Sequence, residues 1–291
     1  MRSLDLASLD VFRAVVREGG IVRASSRLNR VQSNITTRIK QLEQKLGVAL
    51  FRKQGRSLVL TEAGQTLLGY SERLLRLAEE AEHAVLRQHL SGALRIGSME
   101  STAASRLPAL LSAFHLMHPQ ISIELETGAS RALIGKVRDH QLDAAFVGEP
   151  FDAAGLSTRP VFDEELVLVT GDANGPVRHA GDIAGATLLV FAQGCSYRRV
   201  IESWFAADGV VPARIIELGS YHAIIACAAA GAGCGIVPAS VLDTVAASRH
   251  LKRHPLPAGF RQNRTHLVWR TAPSRRLDLL MAMLPATPVS A

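Results

Sequence analysis

Gln32, Ser33, Asn34, Thr36, Thr37, Arg38 and Lys40 crowd one short stretch of the chain, and Ile35, Ile39, Leu42 and Leu46 recur through it at helical spacing. A helix on that period turns its apolar stripe toward a core and leaves the polar set outside. These side chains suit nucleic acid: Gln and Asn pair bidentately with adenine, Arg with guanine, and Ser and Thr with either base or backbone. The bland alternative is a solvated polar face, which most helices have. A face so short in carboxylates, next to a basic segment, favours DNA. In that segment Arg52, Lys53 and Arg56 flank Gly55, with Leu50, Phe51, Leu58 and Leu60 on either side, the pattern of strand, turn and strand. A basic hairpin beside such a helix would neutralise phosphates and set the docking angle without reading sequence.

A second group of residues suits a small molecule. In open α/β sheets, ligands bind beyond the carboxyl ends of strands, where loops lead into helices. The corresponding segments here are Ser98, Met99, Glu100, Ser101 and Thr102; Ser130 after Thr127-Gly128-Ala129; Gly148; Cys195, Ser196 and Tyr197; and Ser220 with Tyr221. Hydroxyls and exposed helix N–H groups accept carboxylates or other anions. They also cap helices, and both readings apply. Glu100 would repel an anion unless it turns away or pairs with a basic group, so the ligand could instead carry an amine or be zwitterionic. Cys195, near Arg198 and Arg199 at a helix start, has the setting that lowers a thiol pKa and makes a redox sensor conceivable. A lone Cys at a strand end is more often a small pocket-lining residue.

The elements that must position these groups follow from periodicity. Leu6, Leu9, Phe12, Val15 and Val16 mark a first helix that Gly19-Gly20 ends, and a second runs from about Ile21 to Leu28. Asn29-Arg30-Val31 then turns into the third, from Gln32 to Leu46, with Gly47 closing it. Two helices joined by so short a turn are the helix-turn-helix geometry. After Thr61-Glu62, Leu67, Tyr70, Leu74, Leu77, Ala81 and Ala84 form a heptad seam on a long helix. Pairing with a second copy is the economical way to bury it; packing on the chain's own wing or body is the alternative. From Gly92 onward, apolar runs alternate with helical segments: ALRIGSM, ISIELETG, LDAAFVGEP, ELVLVTG, TLLVFAQG, RIIELGS, CGIVPAS and THLVWRT. That rhythm predicts a mostly parallel sheet. It also predicts two similar lobes, with a crossing near Val161 to Glu165 and a return near Thr265 to Val268.

Composition narrows the classes. In 291 residues there are 33 Lys and Arg against 26 Asp and Glu, a net +7. The first sixty residues hold 12 basic against 4 acidic residues, so the excess sits wholly in the N-terminal fifth. Apolar content of 47% with 20% charged residues is that of a globular chain, and no run is long enough to cross a membrane. The opening residues lack the pattern of a secretory signal, which predicts a cytoplasmic protein. Three cysteines without CxxC spacing, and ten scattered histidines, argue against a disulfide frame or metal site. No GxSxG, HExxH or P-loop is present, so neither a catalytic set nor a cofactor is expected. Gly231-Ala232-Gly233-Cys234-Gly235 resembles a dinucleotide loop in the wrong order, after a helix and before a strand; a tight helix-to-strand turn is its expected role.

ASSRLNRVQSNITTRIKQLEQKLGVALFRKQGRSLVLTEAG resembles the winged helix-turn-helix of the LysR-type transcriptional regulator family, and the similarity extends over essentially the whole chain. The resemblance implies a DNA-binding domain at residues 1–60, a dimerising linker helix at 61–90, and an effector domain at 91–291 like that of periplasmic binding proteins. Its lobes would be about 93–162 with 266–291, and 163–265. It further implies double-stranded promoter DNA and a small-molecule effector as partners, homodimers that form homotetramers on bent DNA, and RNA polymerase as a possible partner. Gln32, Ser33, Thr36 and Thr37 fall on the family's DNA-facing helix, and Arg52, Lys53 and Arg56 in its wing. Ser98 to Thr102, Ser130, Gly148, Cys195 and Ser196 fall at its effector cleft. Val31 stands where the family often has a capping serine, so the cap shifts to Asn29 or is lost. Arg30 replaces an apolar turn residue, and Thr37 a frequent Arg, whose work Arg38 could do. A solute-binding protein and a metabolic enzyme with a DNA-binding appendage are the competing readings.

Overall fold

The computed structural model describes residues 4–54, 57–86, 92–172, 175–270 and 272–289, without the side chains of 57, 79–80, 83–86 and 247. The chain divides into two compact units, Met1–His89 and Leu90–Ala291.

In the first unit, α1 (Leu6–Arg17) starts at Asp5, whose carboxylate accepts the Ser8 N–H at 2.8 Å. That bond, with the Ser8 hydroxyl and Lys45, holds the Asp5 carboxyl below its usual pKa. α2 (Ile21–Leu28) and α3 (Gln32–Leu46) are joined through Asn29, left-handed at φ 53°, a conformation that Asn adopts more readily than most residues. Val31 gives α3 no side-chain cap, so the cap is lost rather than moved to Asn29. β1 (Phe51–Gln54) and β2 (Ser57–Leu60) pair antiparallel from Phe51↔Leu60 to Gln54↔Ser57. α4 (Glu62–Leu86) begins where the Thr61 hydroxyl accepts the Gly64 N–H at 3.0 Å. Gly64 has no alternative, because a Cβ there would lie 2.2 Å from the Leu50 carbonyl oxygen.

Leu9, Phe12 and Val15 of α1 meet Ile35, Ile39 and Leu42 of α3, Leu50, and Leu67 and Leu75 of α4 in one core. The seam expected on α4 therefore divides. Leu67 is 8% exposed and belongs to this core, whereas Tyr70, Leu74 and Leu77 are 56%, 38% and 53% exposed and Ala81 is exposed. The Leu67 position is thus corrected: the wing and α1 lie against the first turns of the helix and take the side chain that a regular heptad assigns to the seam. The side chain of Ala84 lies outside the described residues.

The second unit opens with β3 (Gly92–Ser98), α5 (Glu100–Ser105), α6 (Leu107–Met117), β4 (Ile121–Thr127), α7 (Ser130–Arg138) and β5 (Ala144–Gly148). It continues through β6 (Ser157–Gly171), β7 (Thr187–Val190), α8 (Ser196–Ala207), β8 (Arg214–Glu217), α9 (Tyr221–Ala229), β9 (Gly235–Pro238) and α10 (Ala239–Leu242). β10 (Leu251–Pro255), α11 (Ala258–Arg261), β11 (Gln262–Trp269) and α12 (Arg275–Met283) complete it. The first half of β6 lies in a sheet of order β6-β11-β5-β3-β4, and its second half pairs with β9 and β10. A backbone bond from Leu189 N–H to the Cys234 carbonyl, 2.8 Å, carries the second sheet on to β7 and β8.

Residue alternation explains the layering of the first sheet: Ala144 and Phe146 of β5 face a core under α6 and α12, while Ala145 and Val147 face Leu133, Ile134 and Val137 of α7. In the second lobe Leu166 to Val169 of β6 are all buried, a strand covered on both faces. The sheets are mixed rather than mostly parallel. β3 pairs parallel with β4 and β5, and β7 with β8, but β6 and β11 pair antiparallel with each other and with β5, β9 and β10, apart from an isolated parallel bridge from Phe162 to Val289. Those two strands pass between the lobes in opposite directions, which a helical crossover does not require. Gly231, at φ 80°, makes the expected helix-to-strand turn. Close packing there is real: a Cβ on Gly233 would sit 2.3 Å from the Thr187 carbonyl oxygen.

Candidate functional site

Two sites emerge, one in each unit. On α3, burial of Ile35, Ile39 and Leu42 turns Gln32, Ser33, Asn34, Thr37 and Lys40 fully outward. Thr36 and Arg38 are half-buried, and the Thr36 hydroxyl donates to the Gln32 carbonyl at 2.9 Å. The lone carboxylate of the helix, Glu43, is drawn off the polar face because it accepts the Leu50 N–H at 2.7 Å. Arg52 and Lys53 are exposed on β1, and Arg56 lies outside the described residues.

The pairing of the cations sharpens this surface. Arg13, Arg17, Arg27 and Lys45 each have a carboxylate within ion-pair distance. Among the described residues, Arg30, Arg38, Lys40, Arg52 and Lys53 have none. Arg30, exposed in the turn before α3, thus joins the candidate surface. Its signal in the sequence was present, a basic side chain in a turn where a core residue is usual.

The second site is a cleft of about 180 Å³ between the lobes, lined by Met99, Glu100 and Ser101 from the β3–α5 corner, 127–130, Phe191, Ala192, 195–197, Gly219 and Tyr221. It gathers eight of the expected residues: Met99, Glu100, Ser101, Ser130, Cys195, Ser196, Tyr197 and Tyr221. Ser98, Thr102, Gly148 and Ser220 do not line it. The Ser98 hydroxyl donates to the Met99 carbonyl, Thr102 is buried, and Ser220 caps α9 by accepting the Ala223 N–H at 3.2 Å. Gly148 lies directly behind the wall. Its N–H donates to the Ser130 hydroxyl at 3.2 Å, and a Cβ there would meet the Ser196 hydroxyl at 2.8 Å and the Met99 sulfur at 3.0 Å. Phe191 and Ala192 were missed because they read as parts of an apolar strand, whereas Gly219 lay in the strand-end segment Gly219-Ser220-Tyr221 that the sequence had marked.

Electrostatics set the character of the cleft. Burial raises the Glu100 carboxyl above its usual pKa, opposed by a hydrogen bond from the Tyr221 backbone N–H and by nearby His222. Its Oε2 is buried with no partner. Burial likewise pushes the Cys195 thiol up, outweighing bonds from the Arg198 and Tyr197 backbones and the Arg198 charge. Arg198 is otherwise engaged, donating at 2.7 Å to both Glu202 and Glu217. The favoured reading of Cys195, a small pocket-lining residue, thus matches its place in the cleft, and the lesser sensor reading lacks the lowered thiol pKa it needs, with Arg198 held by two carboxylates. The phenols of Tyr197 and Tyr221 are also raised by burial. Behind the cleft, Glu164 of β6 accepts from Arg106 at 2.8 Å and from the Ser240 hydroxyl at 2.8 Å, tying α5 and α6 to α10. Among the described residues no cluster of His, Cys, Asp and Glu could hold a metal ion, and no helix is long and apolar enough to cross a membrane.

This pairing of an outward polar helix and basic hairpin with a two-lobed cleft has known counterparts. Residues 6–65 match the bacterial regulatory helix-turn-helix protein model of the lysR family, and residues 87–287 match the LysR substrate binding domain. The chain belongs to the LysR family. It is a DNA-binding transcriptional regulator with an effector-binding domain, not an enzyme. Among its relatives, the HTH-type transcriptional regulator GltR of Bacillus subtilis (strain 168) is 37% identical over 254 residues, 87% of this chain and 86% of that protein. The uncharacterized regulator YusT of the same strain is 37% identical over 268 residues, 92% and 90% of the two chains. In fold, the chain resembles full-length OxyR from Pseudomonas aeruginosa, with TM-score 0.71 and 22% identity over 97% of this chain and 98% of that one. It also resembles full-length CbnR complexed with its target DNA, with TM-score 0.71 and 22% identity over 97% and 99%. Membership removes the two competing readings, a solute-binding protein and a metabolic enzyme.

Proposed function

We propose that this LysR-family regulator places α3 in a major groove of promoter DNA and that a small molecule held in the cleft changes how it binds or bends that DNA. Gln32, Ser33, Asn34, Thr36, Thr37, Arg38 and Lys40 contact bases and backbone, and Arg52, Lys53 and Arg56 contact phosphates. Residues 1–60 act as the DNA-binding domain, 61–90 as linker and 91–291 as effector domain. The exposed Tyr70, Leu74, Leu77 and Ala81 support pairing of two linker helices, with Ala84 continuing the seam. Two such dimers form a tetramer on bent operator DNA in the cytoplasm, within reach of RNA polymerase.

The observation that carries the effector half is the cleft itself, walled by both lobes and backed by β6 and β11, which run between them. A ligand touching both walls favours one degree of closure by its differential affinity for the two states. A promoter-fragment shift assay across a salt series tests the DNA half. Affinity is expected to fall steeply with salt, and alanine at Arg52, Lys53 and Arg56 to flatten the log–log slope by about 0.9 for each phosphate that the protein no longer neutralises. Salt-independent binding contradicts the reading.

A further inference from the structure

The cleft holds one carboxyl group and no basic side chain. Of the residues that line it, only Glu100 is a carboxylic acid, and none is Lys, Arg or His. The nearest basic group that Glu100 senses is His222, which is exposed and does not line the cleft. Arg198 is committed to Glu202 and Glu217. At the start of α9, Glu100 lies against the Tyr221 N–H.

Of the two Glu100 oxygens, Oε2 is buried without a partner. A buried carboxyl oxygen left unpaired costs free energy, and a cationic donor would both pair it and favour its ionised form. The neighbouring wall is aromatic: the Phe191 and Tyr221 rings lie 4.7 Å apart, and Tyr197 is 6.5 Å from Tyr221. Ring faces attract ammonium groups, and the effect grows where water is excluded.

We propose that the effector carries a positively charged nitrogen, an aliphatic ammonium on a compact apolar body, and that Glu100 receives it beside the Phe191–Tyr221 wall. This inference rests on the reading of the cleft as the effector site. Glu100 stands on one lobe and the N–H it holds on the other, so the ammonium binds where the lobes already touch and bears directly on their closure.

Three probes of nearly equal shape decide it on the full-length protein: L-leucine, isopentylamine and 4-methylpentanoate, followed by calorimetry and thermal shift. L-leucine and isopentylamine are expected to raise the melting temperature and 4-methylpentanoate to leave it unchanged. Glu100→Gln is expected to weaken the binding of both amines about tenfold or more, with an unaltered circular dichroism spectrum. Should that variant fail to fold, Glu100→Asp keeps the charge and is expected to keep the preference for amines. Stronger binding of the acid than of either amine overturns the proposal. So does amine affinity unchanged in Glu100→Gln, or no response to either amine. A promoter-shift assay on the same samples separates the two readings: intact DNA binding with an acid preference removes only the ammonium, whereas wild-type protein that ignores DNA removes the regulatory reading beneath it.

Discussion

The Glu43 carboxylate, on the helix proposed to read DNA, accepts the backbone N–H of Leu50 at 2.7 Å and that of Phe51 at 3.3 Å. One side chain thus fixes the angle between α3 and the wing while keeping negative charge off the polar face. Glu43→Ala strands both donors, and a lost bond to a charged acceptor costs roughly 1.5–3 kcal/mol. The variant is expected to unfold at lower urea concentration and to bind promoter fragments more weakly, although Glu43 is turned away from the polar face. Unchanged affinity alongside the reduced stability would show that the wing angle does not matter.

Leu67 and Leu77 share a helix and have opposite fates, one in the core and one exposed. Leu67→Ala is expected to destabilise the N-terminal unit by roughly 2–5 kcal/mol, as cavity-forming core changes do. Leu77→Glu is expected to leave that unit folded and to shift the protein toward monomer in sedimentation equilibrium. A dimer that survives Leu77→Glu would rule out the exposed seam as its interface.

Much of this was legible from residue types. The borders of α2 and α3 were readable because Gly19-Gly20, Asn29 and Gly47 punctuate strongly periodic stretches; Asn29 and Gly47 adopt left-handed backbone. β10 was not readable. Its Leu251-Lys252-Arg253-His254-Pro255 has no apolar run, and it buries a histidine beside Leu251. Ser157–Pro160 at the start of β6, before the crossing read from Val161, was likewise missed, because Arg159 and Pro160 interrupt its apolar pattern and its pairing comes from β11, far along the chain. The cleft was read from loops that end strands, and that rule found eight lining residues. It also returned Ser98, Thr102, Gly148 and Ser220, since a loop position says where a residue is and not which way its side chain points.

Gly148→Ala tests whether the lobes need their close approach. The added methyl would press on the Ser196 hydroxyl, the Met99 sulfur and Asn263 Oδ1, the last at 3.1 Å. Since Met99 and Ser196 belong to opposite walls, the variant is expected to retain promoter binding but to lose its response to effector. A retained response in a reporter assay would mean that the neighbours yield cheaply.

His254 gives a pH signature. Its Nδ1 accepts the Val177 N–H at 3.2 Å and its Nε2 lies 2.9 Å from the Thr170 hydroxyl, an arrangement for neutral imidazole. Burial, then the charge of Lys252, lowers its pKa from the ordinary 6.5. The unfolded chain therefore binds the proton more readily, so this contribution to stability is present above the ordinary value and is lost as pH falls from there through the lowered one. Melting temperatures from pH 7.5 to 5 are expected to drop less steeply in His254→Asn than in the parent; equal slopes would assign the drop to other groups.

Cys195 and Cys234 supply the last test, because both are thiols that burial holds protonated. The Cys195 pKa is raised despite its helix start, and that of Cys234 is pushed up to about 12. Thiolate is the species that reacts, so iodoacetamide at pH 7.5 is expected to label both more slowly than a free thiol. Cys195→Ser is accordingly expected to leave promoter binding insensitive to mild peroxide, as in the parent. A parent protein whose DNA affinity changes with peroxide, through a change that Cys195→Ser abolishes, would restore the sensor, and would require an opened cleft in which Arg198 has left its two carboxylates.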